Sequence, residues 1–193
     1  MRHPLRTPLT AARLSCEALE DRSTPATAFT LSGTNLLSFD TASPTITQTT
    51  AITGINGGET LVGIDFRPQN GLLYGLGVNA GADTATLYAI STRTGAATVV
   101  GPGAGTIAFT TDGTTVVDLP DPTTVGYGFD FNPAEDRIRV VAGSLNFRVD
   151  PNTGSPVDGD NTGVTMGMVT GTNPDGAINT GSTSVDAAAY TNN

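Results

Sequence analysis

The chain has 193 residues, among them 24 Gly, 12 Pro and 33 Thr, with no Lys and no Trp. Its only His and Cys are His3 and Cys16, so past residue 28 no His base, Cys nucleophile, Lys Schiff base or His/Cys metal site can be assembled, and no cofactor is expected. Nine Arg against 18 acids give a net charge of −9. That balance argues against nucleic acid as partner, and no apolar run reaches the roughly 18 residues of a membrane-inserted helix.

Composition breaks near residue 28, which divides the chain into a leader (1–28) and a body (29–193). The leader holds four Arg, three acids and no Gly. It has a basic start but lacks the apolar core of a secretory signal. A weak helical pattern covers 11–21. Within LSCEALEDRSTPATA (14–28), the residues Glu17, Leu19, Glu20, Asp21, Arg22, Pro25 and Ala26 are spaced as LExLEDRxxPA, with Cys16 at a variable place. This segment resembles the sorting motif of exported planctomycete proteins. The resemblance implies an extracellular or cell-surface address and a mature protein without the leader. The bland reading is a fraying N-terminus with no address.

The body reads as all-β. Short runs alternate apolar with polar residues between Gly, Pro, Asn and Asp, and the Thr excess favours extended backbone. Two segments align at an offset of 65, GIDFRPQNGLLYGLG (63–77) and GFDFNPAEDRIRVVA (128–142). A second unit occurs three times, in LLSFDTASP (36–44), LYAISTRTG (87–95) and NFRVDPNTG (146–154). Each of these is a strand closed by a polar turn. One unit of each kind makes four short antiparallel strands, the pattern of a propeller blade. A β-sandwich or meander is the other architecture with this strand spacing. Residues 102–124 read as an insertion forming a hairpin of its own.

In RIRVVA-GS-LNFRVD the dipeptide Gly143-Ser144 suits a type II′ turn. That register pairs Ala142 with Leu145, Val140 with Phe147 and Ile138 with Val149 on one face. The other face sets Arg137 against Asp150, and Arg139 against Arg148 as a like-charge pair. Either a local acid, Asp130 or Asp136, neutralises that Arg pair, or the pair binds an anionic ligand.

Asp65 and Asp130 occupy matching places in the first unit, on the face opposite the flanking Phe residues. Such a pair serves as acid and base, or as hard-cation ligands. The alternative is an Asp that bonds backbone amides in each repeat. Asp65, Asp130, Arg137, Arg139 and Arg148 are therefore the candidate ligand-binding residues, with no catalytic or metal-binding residue assigned. Asp158-Gly-Asp160-Asn161 starts like a calcium loop but has Val169 where the twelfth-position Glu belongs. GPGAG (101–105) lacks the Lys-Ser/Thr of a phosphate loop and reads as a linker. Tyr74, Tyr88, Tyr127 and Tyr190 read as half-buried strand residues.

Taken together, GIDFRPQNGLLYGLG, LYAISTRTGAATVVG, GFDFNPAEDRIRVV, NFRVDPNTG and the terminal AAAYTNN resemble a bacterial domain of unknown function, the family numbered 4394. The resemblance spans about 30–193. It implies a β-propeller-like fold in exported or surface proteins, with no established activity. Leu145 departs from the family's polar preference there. Family domains also continue past the YTNN motif, and the strand expected at Val185–Tyr190 has no partner in the sequence. The expectation is a fragment of two to three blades, with self-association through exposed strand edges as the alternative. The functional expectation is a non-catalytic binding or structural module with an unidentified ligand or surface partner and no membrane insertion. The alternative is a glycan-directed hydrolase or lyase using carboxylates and Arg.

Overall fold

The computed structural model describes residues 26–159, 171–176, 178 and 184–191. The expected helical pattern at 11–21 and the loop residues Asp160 and Asn161 lie outside them. The described residues form eleven strands and no helix: β1 (Thr27–Ser32), β2 (Asn35–Asp40), β3 (Ser43–Ala51), β4 (Thr60–Phe66), β5 (Leu73–Asn79), β6 (Thr84–Ile90), β7 (Ala97–Val99), β8 (Gly128–Asn132), β9 (Arg137–Ala142), β10 (Leu145–Val149) and β11 (Pro156–Val157). They build three antiparallel sheets in chain order, β1-β2-β3, β4-β5-β6-β7 and β8-β9-β10-β11. The chain is all-β. Strand β1 starts inside the last two residues of the segment read as a leader.

The β9–β10 hairpin has the register its sequence dictates. Leu145 pairs with Ala142, Phe147 with Val140, and Val149 with Ile138. Gly143 has φ +59, the left-handed first position that a type II′ turn demands. Of these six apolar side chains only Leu145 retains appreciable exposure.

The middle sheet is covered on both faces. Alternate residues of β5 point opposite ways, and they enter two different apolar clusters. Tyr74, Leu76 and Val78 pack with Phe129, Phe131, Val140 and Phe147 of the third sheet. Leu73, together with Tyr88 and Ile90 of β6, packs with Leu36 and Ile52 from the first sheet and the chain just after it. That is why six of the seven residues of β5 are buried. Tyr88 is fully buried, and Tyr74 and Tyr127 nearly so. This corrects the half-buried reading for those three. Each hydroxyl finds a partner: Tyr88 with Glu59 at 2.6 Å, Tyr127 with the Pro120 carbonyl at 2.6 Å, and Tyr74 with Asn70 at 3.2 Å.

The segment 102–124 keeps only a short hairpin, in which Thr110 bridges Val116, Val117 N donates to the Phe109 carbonyl and Thr111 N to the Thr115 carbonyl, both at 2.9 Å, and a further bridge ties Ile107 to Ala85 of β6. Ile107, Phe109 and Leu119 are each at most 1% exposed within the larger cluster. An apolar residue gains more by closing the gap between two sheets than by pairing in an exposed ribbon. The insertion therefore became part of the core.

The turns after β6 and β10 match. Gly95 (φ +71) lies against the Ala51 carbonyl, and Gly154 (φ +64) against the Val100 carbonyl. A Cβ there would stand 2.0 Å and 1.9 Å from those oxygens, so both the left-handed backbone and the close approach require glycine.

Truncating Phe147 to Ala is expected to cost about 3–5 kcal/mol in urea denaturation. Ile46→Ser, at a side chain 56% exposed, is expected to stay within about 0.5 kcal/mol.

Candidate functional site

Strands β4 and β8, each at the edge of its sheet, lie side by side, and Asp65 binds across the gap between the two sheets. Asp65 on β4 accepts the amide of its own neighbour Phe66 on Oδ1 (2.7 Å) and the amide of Phe131 on β8 on Oδ2 (2.9 Å). Asp130 on β8 accepts the amide of Tyr190 at 2.6 Å. Segment 184–191 thus lies against β8 much as β8 lies against β4. It has no strand of its own, only one bridge from Val185 to Gly143, where a strand was expected. Glycines make the approach possible. A Cβ on Gly63 would stand 2.6 Å from Cβ of Phe129, and one on Gly128 would stand 2.4 Å from the Ala188 nitrogen.

An aromatic contact recurs beside each Asp. Tyr74, the strand partner of Asp65, meets Phe131 edge-on at 5.4 Å between ring centroids. Arg139, the strand partner of Asp130, donates from Nε to the Tyr190 hydroxyl at 3.3 Å. In the first sheet Phe29 meets Phe66 edge-on at 5.6 Å. Phe66 and Phe131, the aromatic residues after Asp65 and Asp130, therefore each rest on a ring of the preceding sheet. Their exposures differ: Phe131 is 2% exposed, whereas Phe66 is 38% exposed.

Burial holds the Asp130 carboxyl above its usual range, against the opposing pull of the Tyr190 amide. The nearby Asp65 charge raises it further. The two candidate carboxylates are therefore neighbours, and both are already bound to backbone.

The Arg candidates are also engaged. Arg137 pairs with Asp150 at 3.3 Å, as the hairpin register implied. Arg139 and Arg148 do face one another, and Asp175 neutralises both. Arg148 contacts it through Nε at 2.9 Å and Nη2 at 2.8 Å, and Arg139 through Nη1. Arg139 also donates to Asn146 at 2.7 Å. Neither expected local acid fills this role. Asp130 is turned to Tyr190, and Asp136 is taken by Arg67. The neutralising carboxylate comes from 36 residues beyond Arg139, a separation no local pattern displays.

Arg67 was missed by sequence reasoning. It follows β4 directly and is only 4% exposed. Its Nε donates to Asp136 at 2.8 Å, while Nη2 reaches Asp136, Gln69 at 2.9 Å and Asn152 at 2.7 Å. The hydrogen bond to Asp136 raises the Arg67 pKa, and the same bond holds Asp136 below the carboxylate range. This pair rivets the loop after β4 to the turn before β9.

Glu59 forms a second buried polar group, accepting from Thr86 at 2.5 Å and from Tyr88. Burial first, then the Glu59 bond, pushes the Tyr88 hydroxyl up to about 12. Beside it a cleft of about 530 Å³ opens between the β1–β2 turn and the chain leading into β4, walled by Leu31, Ile52, Ile55 and Leu61. Asn56 lines the cleft too, and its amide nitrogen is buried without a hydrogen-bond partner. Among the described residues no cluster of three or more His, Cys, Asp or Glu is arranged to hold a metal.

These features define an all-β chain of serially stacked antiparallel sheets, with Asp65, Asp130 and the Arg67–Asp136 pair at the joins. The chain belongs to the family described as Domain of unknown function (DUF4394), whose model matches residues 35–193. No curated protein and no solved structure matches it.

Two outcomes test the joins. Arg67→Ala leaves Asp136 without its cation and is expected to cost about 3 kcal/mol by urea denaturation. Asp130 binds its proton more tightly folded than unfolded. Its contribution therefore favours folding at low pH and is lost as pH rises from about 4 through its raised value. Asp130→Asn keeps an acceptor for Tyr190 and removes the like charge. It is expected to melt above the parent at pH 7, with the difference closing as pH falls to about 4; a lower melting temperature at pH 7 contradicts this account.

Proposed function

We propose that the chain is a β-propeller-like module, its sheets acting as successive blades, exported or held at the cell surface in a non-catalytic binding or structural role. The observation that carries the reading is the recurring join. An Asp on the first strand of a sheet bonds the backbone of the segment that packs next to it twice in succession, at Asp65–Phe131 and Asp130–Tyr190. Propellers repeat radially, and each blade presents its inner strand to the next. A sandwich of two facing sheets does not call for the same contact at successive steps.

The absence of catalysis is inferred from how the candidate groups are spent. Glycosidase carboxyls stand roughly 5–9.5 Å apart across an open sugar site. Asp65 and Asp130 instead each hold backbone amides, and the three candidate Arg are paired with Asp150 and Asp175. Binding fits the cleft beside Asn56 better. Its volume lies in the range of small-molecule sites, its walls are mostly apolar, and one donor is free to set orientation. The surface address rests on the LEDR-type segment alone.

Incubation with a panel of neutral and acidic glycans is expected to release no reducing ends. Release that Asp65→Asn or Asp130→Asn abolishes would establish the hydrolase alternative. Fractionation of source cells with N-terminal sequencing is expected to find the protein at the surface or in the medium, without the leader. An intact Met1 in the cytosolic fraction rules out the export reading.

A further inference from the structure

We propose that the cleft beside Asn56 takes an uncharged, mainly aliphatic small molecule and holds it by one acceptor oxygen, such as a lactone or ketone carbonyl. This ligand class rests on the binding reading above and makes it specific. Asn56 sits in the segment between β3 and β4, which is pinned along its length. Thr53 N donates to the Gly95 carbonyl at 3.0 Å, and Ala97 N donates to the Thr53 carbonyl at 2.8 Å. Gly54, with φ +87, lies so close to Ala97 that a Cβ would stand 2.5 Å from its carbonyl oxygen. The backbone N–H of Asn56 donates to the Tyr88 hydroxyl at 3.0 Å, and its carbonyl accepts from Glu59 N at 3.2 Å. Tyr88 is itself fully buried.

Both backbone groups of Asn56 are therefore used, and they fix where its side chain starts. The side-chain nitrogen is buried without a partner, at the wall of the cleft. A buried donor left unpaired costs stability, and a native fold keeps one for a reason, of which a ligand is one. A donor held on a pinned segment loses little freedom when a ligand accepts from it.

The walls and the charge narrow the class. Leu31, Ile52, Ile55 and Leu61 offer aliphatic surface, and no aromatic ring stands among the described lining residues. The cleft thus gives a sugar or a flat ring system no stacking platform. Glu59 is the one charged residue among the described residues of the lining. Its oxygens already accept from Thr86 at 2.5 Å and Tyr88 at 2.6 Å. Those bonds hold the carboxylate where it opposes a second negative charge in the cleft. An ammonium ligand is disfavoured differently: it brings donors only, so the Asn56 donor would stay unpaired. An uncharged molecule with an acceptor oxygen pairs that donor, and its aliphatic body covers the walls. The cleft volume of about 530 Å³ suits a molecule of that kind.

NMR titration of the isotope-labelled full chain tests this with three probes: γ-decalactone, the hydroxydecanoate anion that its ring-opening gives, and cyclohexane. The lactone is expected to shift the methyl resonances of Leu31, Ile52 and Leu61 together with the side-chain amide protons of Asn56. Hydroxydecanoate, with the same carbon chain, is expected to bind about tenfold more weakly. Cyclohexane is expected to move the methyls and leave the Asn56 amide protons in place. Asn56→Leu removes the donor at similar size and keeps both backbone bonds. It is expected to melt no lower than the parent, to bind the lactone about tenfold more weakly and to bind cyclohexane as before. Equal affinity for lactone and anion, or lactone binding that Asn56→Leu leaves unchanged, overturns the ligand class and spares the cleft as a binding site. Unmoved Asn56 amide protons in the lactone-saturated native chain do the same, whatever the variant does. If none of the three probes shifts any cleft methyl, the ligand class and the binding reading both fall.

Discussion

The fold depends on a carboxylate that serves two strands at once. Asp65 caps the amide at the end of its own strand and takes the amide of Phe131 from the next sheet. Hydrogen bonding inside a sheet satisfies the sheet's own backbone, and it says nothing about how one sheet sits on another. Here that relation is fixed by charge-assisted bonds from carboxylate to backbone, which are stronger than neutral ones. The apolar contacts then follow. With β8 anchored beside β4, Phe129 and Phe131 meet Tyr74 and Val62, and the space that remains is filled by Ile107, Phe109 and Leu119.

Further charged residues contribute to this same task. Arg67–Asp136, and Asp175 between Arg139 and Arg148, tie loops to neighbouring elements far away in sequence. An acidic chain short of cations uses the few it has as structural clamps. Among the described residues, the side-chain nitrogen of Asn56, beside the cleft, is a buried donor left unclaimed.

Strand identity and hairpin register were legible in the residues, because period-2 alternation and the Gly143-Ser144 turn are local signals. The Arg137–Asp150 contact followed from that register. The short hairpin within 102–124 was legible, and its burial was not. Its apolar residues are spaced for a ribbon, and only the gap between two sheets explains why Ile107 and Phe109 are buried. Nor could the sequence show that Asp175 serves two Arg, or that Arg67 is buried, since both pairings join distant elements. The matching positions of Asp65 and Asp130 were visible. The direction of their bonds, forward into the next unit, needs the packing.

The bonds at these joins span long stretches of chain. Asp65 and Phe131 are 66 residues apart, and Asp130 and Tyr190 are 60 apart. Every strand pair within a sheet, by contrast, joins consecutive strands. Closing a long loop carries an entropy cost before any contact offsets it, and non-local contacts slow folding. Each sheet can therefore form early as a run of hairpins, and the joins lock afterwards. Opening runs in reverse: the sheets part at their carboxylate joins while their internal ladders persist, so the chain loses its tertiary order before its secondary structure.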